Sequence, residues 1–156
     1  MGFFFWSGSV GAARETDDQW IRGVFTGKSP RSVTLSETDA WQYANTFAEK
    51  APDSFVLVGS GHSMHPLYTP GTILVLQKFP YELLERGQTV LYRNQAHKVV
   101  AHVLVAKVRD GWRVAGLNNR SHDMEPVRSD NLVGVVIAAF QPLPGGAPVR
   151  VATLSR

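Results

Sequence analysis

Lys98-Val99-Val100-Ala101-His102-Val103-Leu104-Val105-Ala106-Lys107-Val108 is a long β-branched run, and Arg109-Asp110-Gly111 turns it back into Trp112-Arg113-Val114-Ala115. Such runs on either side of an Asp-Gly turn read as the two arms of a hairpin. Shorter runs stand around it. Residues 55–58 lead into a Gly-rich turn, 72–76 follow Pro70-Gly71, and 88–92 follow Gly87. Residues 131–140 close the series before Pro142-Leu143-Pro144-Gly145-Gly146 breaks it. Strands at this spacing predict a mostly-β domain, a small coiled β-sheet or partial barrel.

One N-terminal α-helix is expected ahead of the strands. Ser36 offers an N-cap, and Glu37 and Asp39 fall in the first turn, where the helix dipole favours acids. Ala40, Ala44, Phe47 and Ala48, with Trp41 beside them, make an apolar stripe at helical spacing that should stop before Ala51-Pro52-Asp53. Trp41 and Phe47 are expected as core contacts. Residues 1–34 hold neither period for long, and Gly27-Lys28-Ser29-Pro30-Arg31 reads as a loop. The expected organisation is an N-terminal extension over 1–34, a helix packed on the domain over 35–52, the β-domain over 53–141 and a tail over 142–156.

Composition sets outer limits. The 156 residues are 44% apolar and 19% charged, a globular balance with room for one core. Cysteine is absent, which excludes a disulfide framework, a thiolate zinc site, an iron–sulfur cluster and a thiol nucleophile, and leaves the compartment open. No metal or cofactor is expected. The net charge of +3 comes from scattered basic residues with no run among them, so they read as solvated surface and no nucleic-acid partner is expected.

No stretch approaches the ~20 apolar residues of a spanning helix. The opening Met1-Gly2-Phe3-Phe4-Phe5-Trp6-Ser7-Gly8-Ser9-Val10-Gly11-Ala12-Ala13-Arg14 puts an aromatic cluster before small residues, and then turns polar. Three readings stand side by side: the remnant of an export signal removed near Ala12-Ala13, a weak membrane foothold through Phe3, Phe4, Phe5 and Trp6, and an apolar segment packed on the domain.

Three places hold polar residues that a bare β-domain does not need. Gly59-Ser60-Gly61-His62-Ser63-Met64-His65-Pro66 carries a strand into a turn that presents Ser63 among glycines. Such a turn leaves N–H groups free beside a hydroxyl, as an oxyanion requires; an ordinary turn serine is the plainer account. His102 interrupts an apolar run and shares a strand face with Lys98, Val100 and Leu104. There it is either a satisfied core histidine or a base. Gly116-Leu117-Asn118-Asn119-Arg120-Ser121-His122-Asp123-Met124-Glu125-Pro126-Val127 is a polar loop leaving the paired strand.

From Phe55 to Phe140 the chain resembles the signal peptidase I family, a family of serine peptidases with a fold shared by LexA-like proteins. It is most similar to the archaeal and endoplasmic-reticulum branch, which reads small-x-Ser-Met-x-Pro, then Val-Val-x-His-Arg-Val-Val, then Gly-Asp-Asn-Asn with Asp and Pro-Val following. Here the same order stands as Ser63-Met64-His65-Pro66, Val99-Val100-Ala101-His102-Val103-Leu104-Val105, and Asn118-Asn119, Asp123 and Pro126-Val127. The resemblance implies that Ser63 attacks, His102 is the general base and Asp123 orients it. Gly61, Met64 and Pro66 would shape the oxyanion and substrate side. Lys98 is the alternative base, since a lysine serves in the bacterial branch, but it lies ~13 Å back along the strand.

The chain departs from the pattern at Gly61, where a serine is common, at Val103 for Arg, and at Leu117 in the Gly-Asp pair. Gly61-His62-Ser63-Met64 also resembles the Gly-Asp-Ser-Met of LexA-like self-cleaving peptidases. The implied partner is a polypeptide cut after small residues, a secretory precursor if the likeness extends that far. The implied place is extracytoplasmic or membrane-peripheral, with the cytoplasm as the alternative. A non-catalytic β-domain that binds peptide or protein is the remaining reading.

Overall fold

The structure, a computed structural model, describes residues 17–145. The aromatic opening and the last part of the tail lie outside the described residues. Within them the chain is mostly β, with one helix. The strands are β1 (Trp20–Ile21), β2 (Val24–Phe25), β3 (Val33–Leu35), β4 (Ser54–Val58), β5 (Ile73–Gln77), β6 (Thr89–Arg93), β7 (Val99–Val108), β8 (Gly111–Ala115) and β9 (Leu132–Pro142), and α1 is Glu37–Lys50.

The main sheet runs β4-β5-β9-β6-β7-β8, antiparallel throughout, with β3 added parallel to the end of β9. It does not close into a barrel: β4 and β8 stand at opposite ends of the path. The register slips between Val75 and Leu76, Leu91 and Tyr92, and Leu104 and Ala106. Each slip places an extra residue on one strand, which sharpens the local twist and coils the sheet without a barrel's closure.

Strand alternation sends two sets of side chains to opposite faces. Leu74, Leu76, Leu91, Val103 and Val136 form one cluster with Met64, Leu67, Tyr68 and Leu117. Val90, Tyr92, Leu104, Trp112, Val114 and Val135 form the other.

Helix α1 starts as its sequence dictates. The Ser36 hydroxyl oxygen accepts from the Asp39 N–H at 3.1 Å, and the helix ends at Lys50, before Ala51 turns extended. Ala40 and Ala44 are fully buried against Ile73, Val75, Ala138 and Phe140. Trp41 and Phe47 do not pack as core contacts: they are 39% and 42% exposed. The two alanines let the backbone sit close on the sheet, so the contact line is narrow, and Trp41 and Phe47 fall to its sides.

The stretch before α1 is tied to the sheet. Trp20 and Phe25 pair across β1 and β2 with centroids 5.7 Å apart, and the Arg86 guanidinium lies over both rings. Ile21 and Val24 pack on the Met64–Leu117 cluster. The Ser29 hydroxyl bonds Gly87 O and Thr89 Oγ1, each at 2.7 Å. Two- and three-residue strands are too short to show a period, which is why this part read as an extension. Among the described residues no helix is long and apolar enough to cross a membrane.

Candidate active site

Two loops and one strand meet at the open part of the sheet. Loop 59–66 begins where Gly59 N–H donates to Thr72 O and Gly71 N–H to Gly59 O, at 2.9 and 2.7 Å, closing the β4–β5 ladder. Met64 then plunges into the core at 5% exposure, and Tyr68 N–H donates to Met64 O. That buried methionine fixes its neighbour Ser63, which stays half-buried at the surface, while Gly61 and Pro66 are exposed. The N–H groups of Gly61, His62, Ser63 and Met64 donate no hydrogen bond within the described residues.

His102 is 5% exposed, on the face of β7 that carries Val100 and Leu104. Its Nδ1 lies 2.5 Å from Asp123 Oδ2. Asp123 reaches that position because its own N–H donates to Val114 O on β8, drawing the polar loop back over the sheet. Burial pushes the Asp123 carboxyl up, but hydrogen bonds from His102 and Tyr92, with the charges of His102 and His122, more than offset it and hold it below its usual value. An ionised carboxylate only accepts, so His102 carries a proton on Nδ1, and in the neutral ring the lone pair is at Nε2.

That nitrogen is buried and has no hydrogen-bond partner. Beside it is Gly116, where a Cβ would come within 2.8 Å of Nε2 and 2.7 Å of Asn119 Nδ2. The β7–β8 register, with Val103 opposite Ala115, carries Gly116 across from His102. Glycine at this place keeps space open against the ring.

The expected residues therefore fall into two groups. Gly61, Ser63 and Met64 line one cleft, Met64 reaching into the Met64–Leu117 cluster, and His102 and Asp123 stand together apart from it. The link between them is 116–118: Gly116 lies against His102, and Asn118 N–H donates to Ser63 O at 2.7 Å. No hydrogen bond joins Ser63 Oγ to His102. Lys98 lies in the β6–β7 turn with an exposed side chain that makes no hydrogen bond or ion pair among the described residues. One contributor escaped the sequence reading, Tyr92, whose hydroxyl donates to Asp123 Oδ2. It is 31 residues from Asp123 along the chain, and only the register brings the two together.

Beside Ser63 opens a cleft of about 350 Å³, walled by Leu57 and Val58 at the end of β4 and by Val99 at the start of β7, with Leu74 and Leu91 beneath. Leu57, Val58 and Val99 are exposed apolar side chains. Among the described residues no group of three or more His, Asp and Glu could hold a metal ion. Neither a scan of protein-family models nor a search of curated proteins returns a match to this chain.

Proposed function

We propose that the protein is a serine endopeptidase that works in the manner of signal peptidase I. The observation that carries this reading is the buried His102, bound at Nδ1 by an ionised Asp123 and left with an unpartnered lone pair at Nε2. Burying a polar atom without a partner costs about 1–3 kcal/mol; Trp112 Nε1 bears the same cost, but only at His102 is the orphaned nitrogen on a ring whose other nitrogen is held by a carboxylate. A general base has a use for that cost, because Nε2 must be free to take a proton.

In the proposed reaction Ser63 Oγ attacks the scissile carbonyl carbon as its proton passes to His102 Nε2. The resulting imidazolium is stabilised by Asp123, and the unengaged N–H groups of loop 61–64 receive the oxyanion. The imidazolium then protonates the leaving amine, and water hydrolyses the acyl-enzyme by the same route. Ser63 and His102 are not bonded in the free protein, so substrate must close the gap; catalytic hydrogen bonds commonly tighten on binding. A peptide in extended form fits the cleft beside the β4 edge, where Leu57, Val58 and Val99 offer apolar contact. Preference for small residues at the cleavage position and two before it follows from the family likeness, as does action at or beyond a membrane on emerging precursors.

The open Ser63–His102 gap also favours a second reading, a β-domain that binds extended peptide in the same cleft without cutting it. Labelling with a fluorophosphonate probe separates the two. A peptidase labels at Ser63 and loses the label in Ser63→Ala and His102→Ala; a binding module never labels. Cleavage of peptides bearing Ala but not Trp at the two positions checks the specificity, and fractionation of expressing cells checks the location.

A further inference from the structure

Tyr92 stands outside the Ser63–His102–Asp123 set and yet touches it. It lies on β6 at 2% exposure, in the cluster of Val90, Leu104 and Val114. The β6–β7 register pairs Val90 with His102 and Tyr92 with Val100, so Tyr92 and His102 are diagonal neighbours on one face, with ring centroids 6.4 Å apart. A buried phenol needs a hydrogen-bond partner. Many backbone carbonyls would serve, but this hydroxyl donates to Asp123 Oδ2, the oxygen that already receives His102 Nδ1.

We propose that Tyr92 is a positioning residue for the Ser-His-Asp reaction, donating to Asp123 Oδ2 so that the carboxylate is fixed in place and its hold on the protonated His102 is moderated. This rests on the peptidase reading of the site. Two donors on one oxygen draw on the same negative charge. With both present, Asp123 grips the imidazolium less strongly than it would alone, and the base is released at lower pH.

Burial pushes the Tyr92 phenol above its ordinary value, and the bond to Asp123 and the charges of Asp123 and Glu125 push it further. It therefore stays a donor across the neutral range. The remaining groups around Asp123 are His122, whose Nδ1 contacts the backbone Asp123 O at 3.0 Å, Glu125, which lines one hollow together with Tyr92, His102 and Asp123, and Arg109, Asp110 and Arg113, which line the hollow on the far side. None of these hydrogen-bonds the carboxylate among the described residues, which leaves Tyr92 and His102 as its two donors.

Tyr92→Phe keeps the ring and removes the hydroxyl. Two readouts follow it: the NMR titration of the His102 imidazole, and the rate of fluorophosphonate labelling at Ser63 against pH. The His102 midpoint should rise by about 0.5–1 pH unit on losing one charge-moderating bond. Labelling at pH 7 should fall about three- to tenfold and recover by about pH 9, in proportion to that shift. Loss of rate at every pH with an unmoved midpoint is what a packing role gives, and it overturns the proposal. A moved midpoint in a protein whose Ser63 never labels overturns the peptidase reading and leaves the Tyr92–Asp123–His102 linkage standing. Normal labelling with an unmoved midpoint does the reverse. Replacing tyrosine throughout with 3-fluorotyrosine, a more acidic and stronger donor, checks the sign without deleting a group: the midpoint should move down.

Discussion

Gly116→Ala isolates one methyl group at the heart of the site. The new Cβ would lie 2.8 Å from His102 Nε2 and 2.7 Å from Asn119 Nδ2, against an ordinary carbon–nitrogen contact of roughly 3.5 Å. Something must move by several tenths of an ångström. Asn119 is exposed and can swing away. His102 cannot: it is 5% exposed and its far nitrogen is held by Asp123 at 2.5 Å. Gly116 does not have a positive φ, so alanine brings no backbone strain and the effect is steric. Overpacking of this kind costs about 1–3 kcal/mol, to be read as a lowered urea midpoint at constant slope. Displacing the ring by even part of an ångström should cut fluorophosphonate labelling by roughly tenfold to a hundredfold. The two effects should appear together. Wild-type labelling by a destabilised Gly116→Ala protein would show that Nε2 is not the base, and an unchanged urea midpoint would show that the ring is not confined as described.

Three further outcomes test other parts of the structure. The Asp123 carboxyl is held below its usual value in the folded chain, so its ionised form stabilises the fold above the ordinary carboxyl range near about pH 4 and that contribution is lost as pH falls through the lowered value; the stability gap between wild type and Asp123→Asn, measured by urea unfolding, should shrink on acidification from pH 7 to 3. Lys98→Met should label as wild type does, and loss of labelling would transfer the role of base to Lys98. Ala44→Leu should destabilise by about 1–3 kcal/mol, because it lifts α1 off the sheet, while Phe47→Ser should change stability by less than about 1 kcal/mol; equal costs would contradict the packing of the helix.

The strands β4 to β9 were legible because each is a β-branched or apolar run bounded by a turn residue, and these signals are local. Ser36 and the alanine stripe made α1 legible for the same reason. The side chains of Trp41 and Phe47 were misplaced because a periodic stripe reports which face is apolar, not how closely the backbone approaches. At Ala40 and Ala44 the approach is close enough to leave the larger residues out. The site divides in the same way. Ser63, His102 and Asp123 could be singled out from motif order, and the His102–Asp123 contact exists in the fold. The Tyr92 bond to Asp123 depends on a strand register and on a loop folding back to Val114, neither of which any short window of sequence encodes. The absence of a bond between Ser63 and His102 is likewise tertiary: Ser63 lies in the loop after β4, and His102 on the face of β7 that it shares with Tyr92 of β6.

Strand β9 holds the centre of the sheet, between β5 and β6, and also pairs with β3 and supports α1. Among the described residues it is the last strand in chain order. Until it arrives, β4–β5 and the β6–β7–β8 meander have no strand between them, and only side chains of the Met64–Leu117 cluster and the Asn118–Ser63 bond join them. From the emergence of β5 to that of β9 the nascent chain carries unpaired strand edges, a condition that invites chaperones and mispairing between chains. A chain arrested just before Leu132 should be captured by a holdase and degraded quickly, whereas one released after Pro142 should become protease-resistant in a single step.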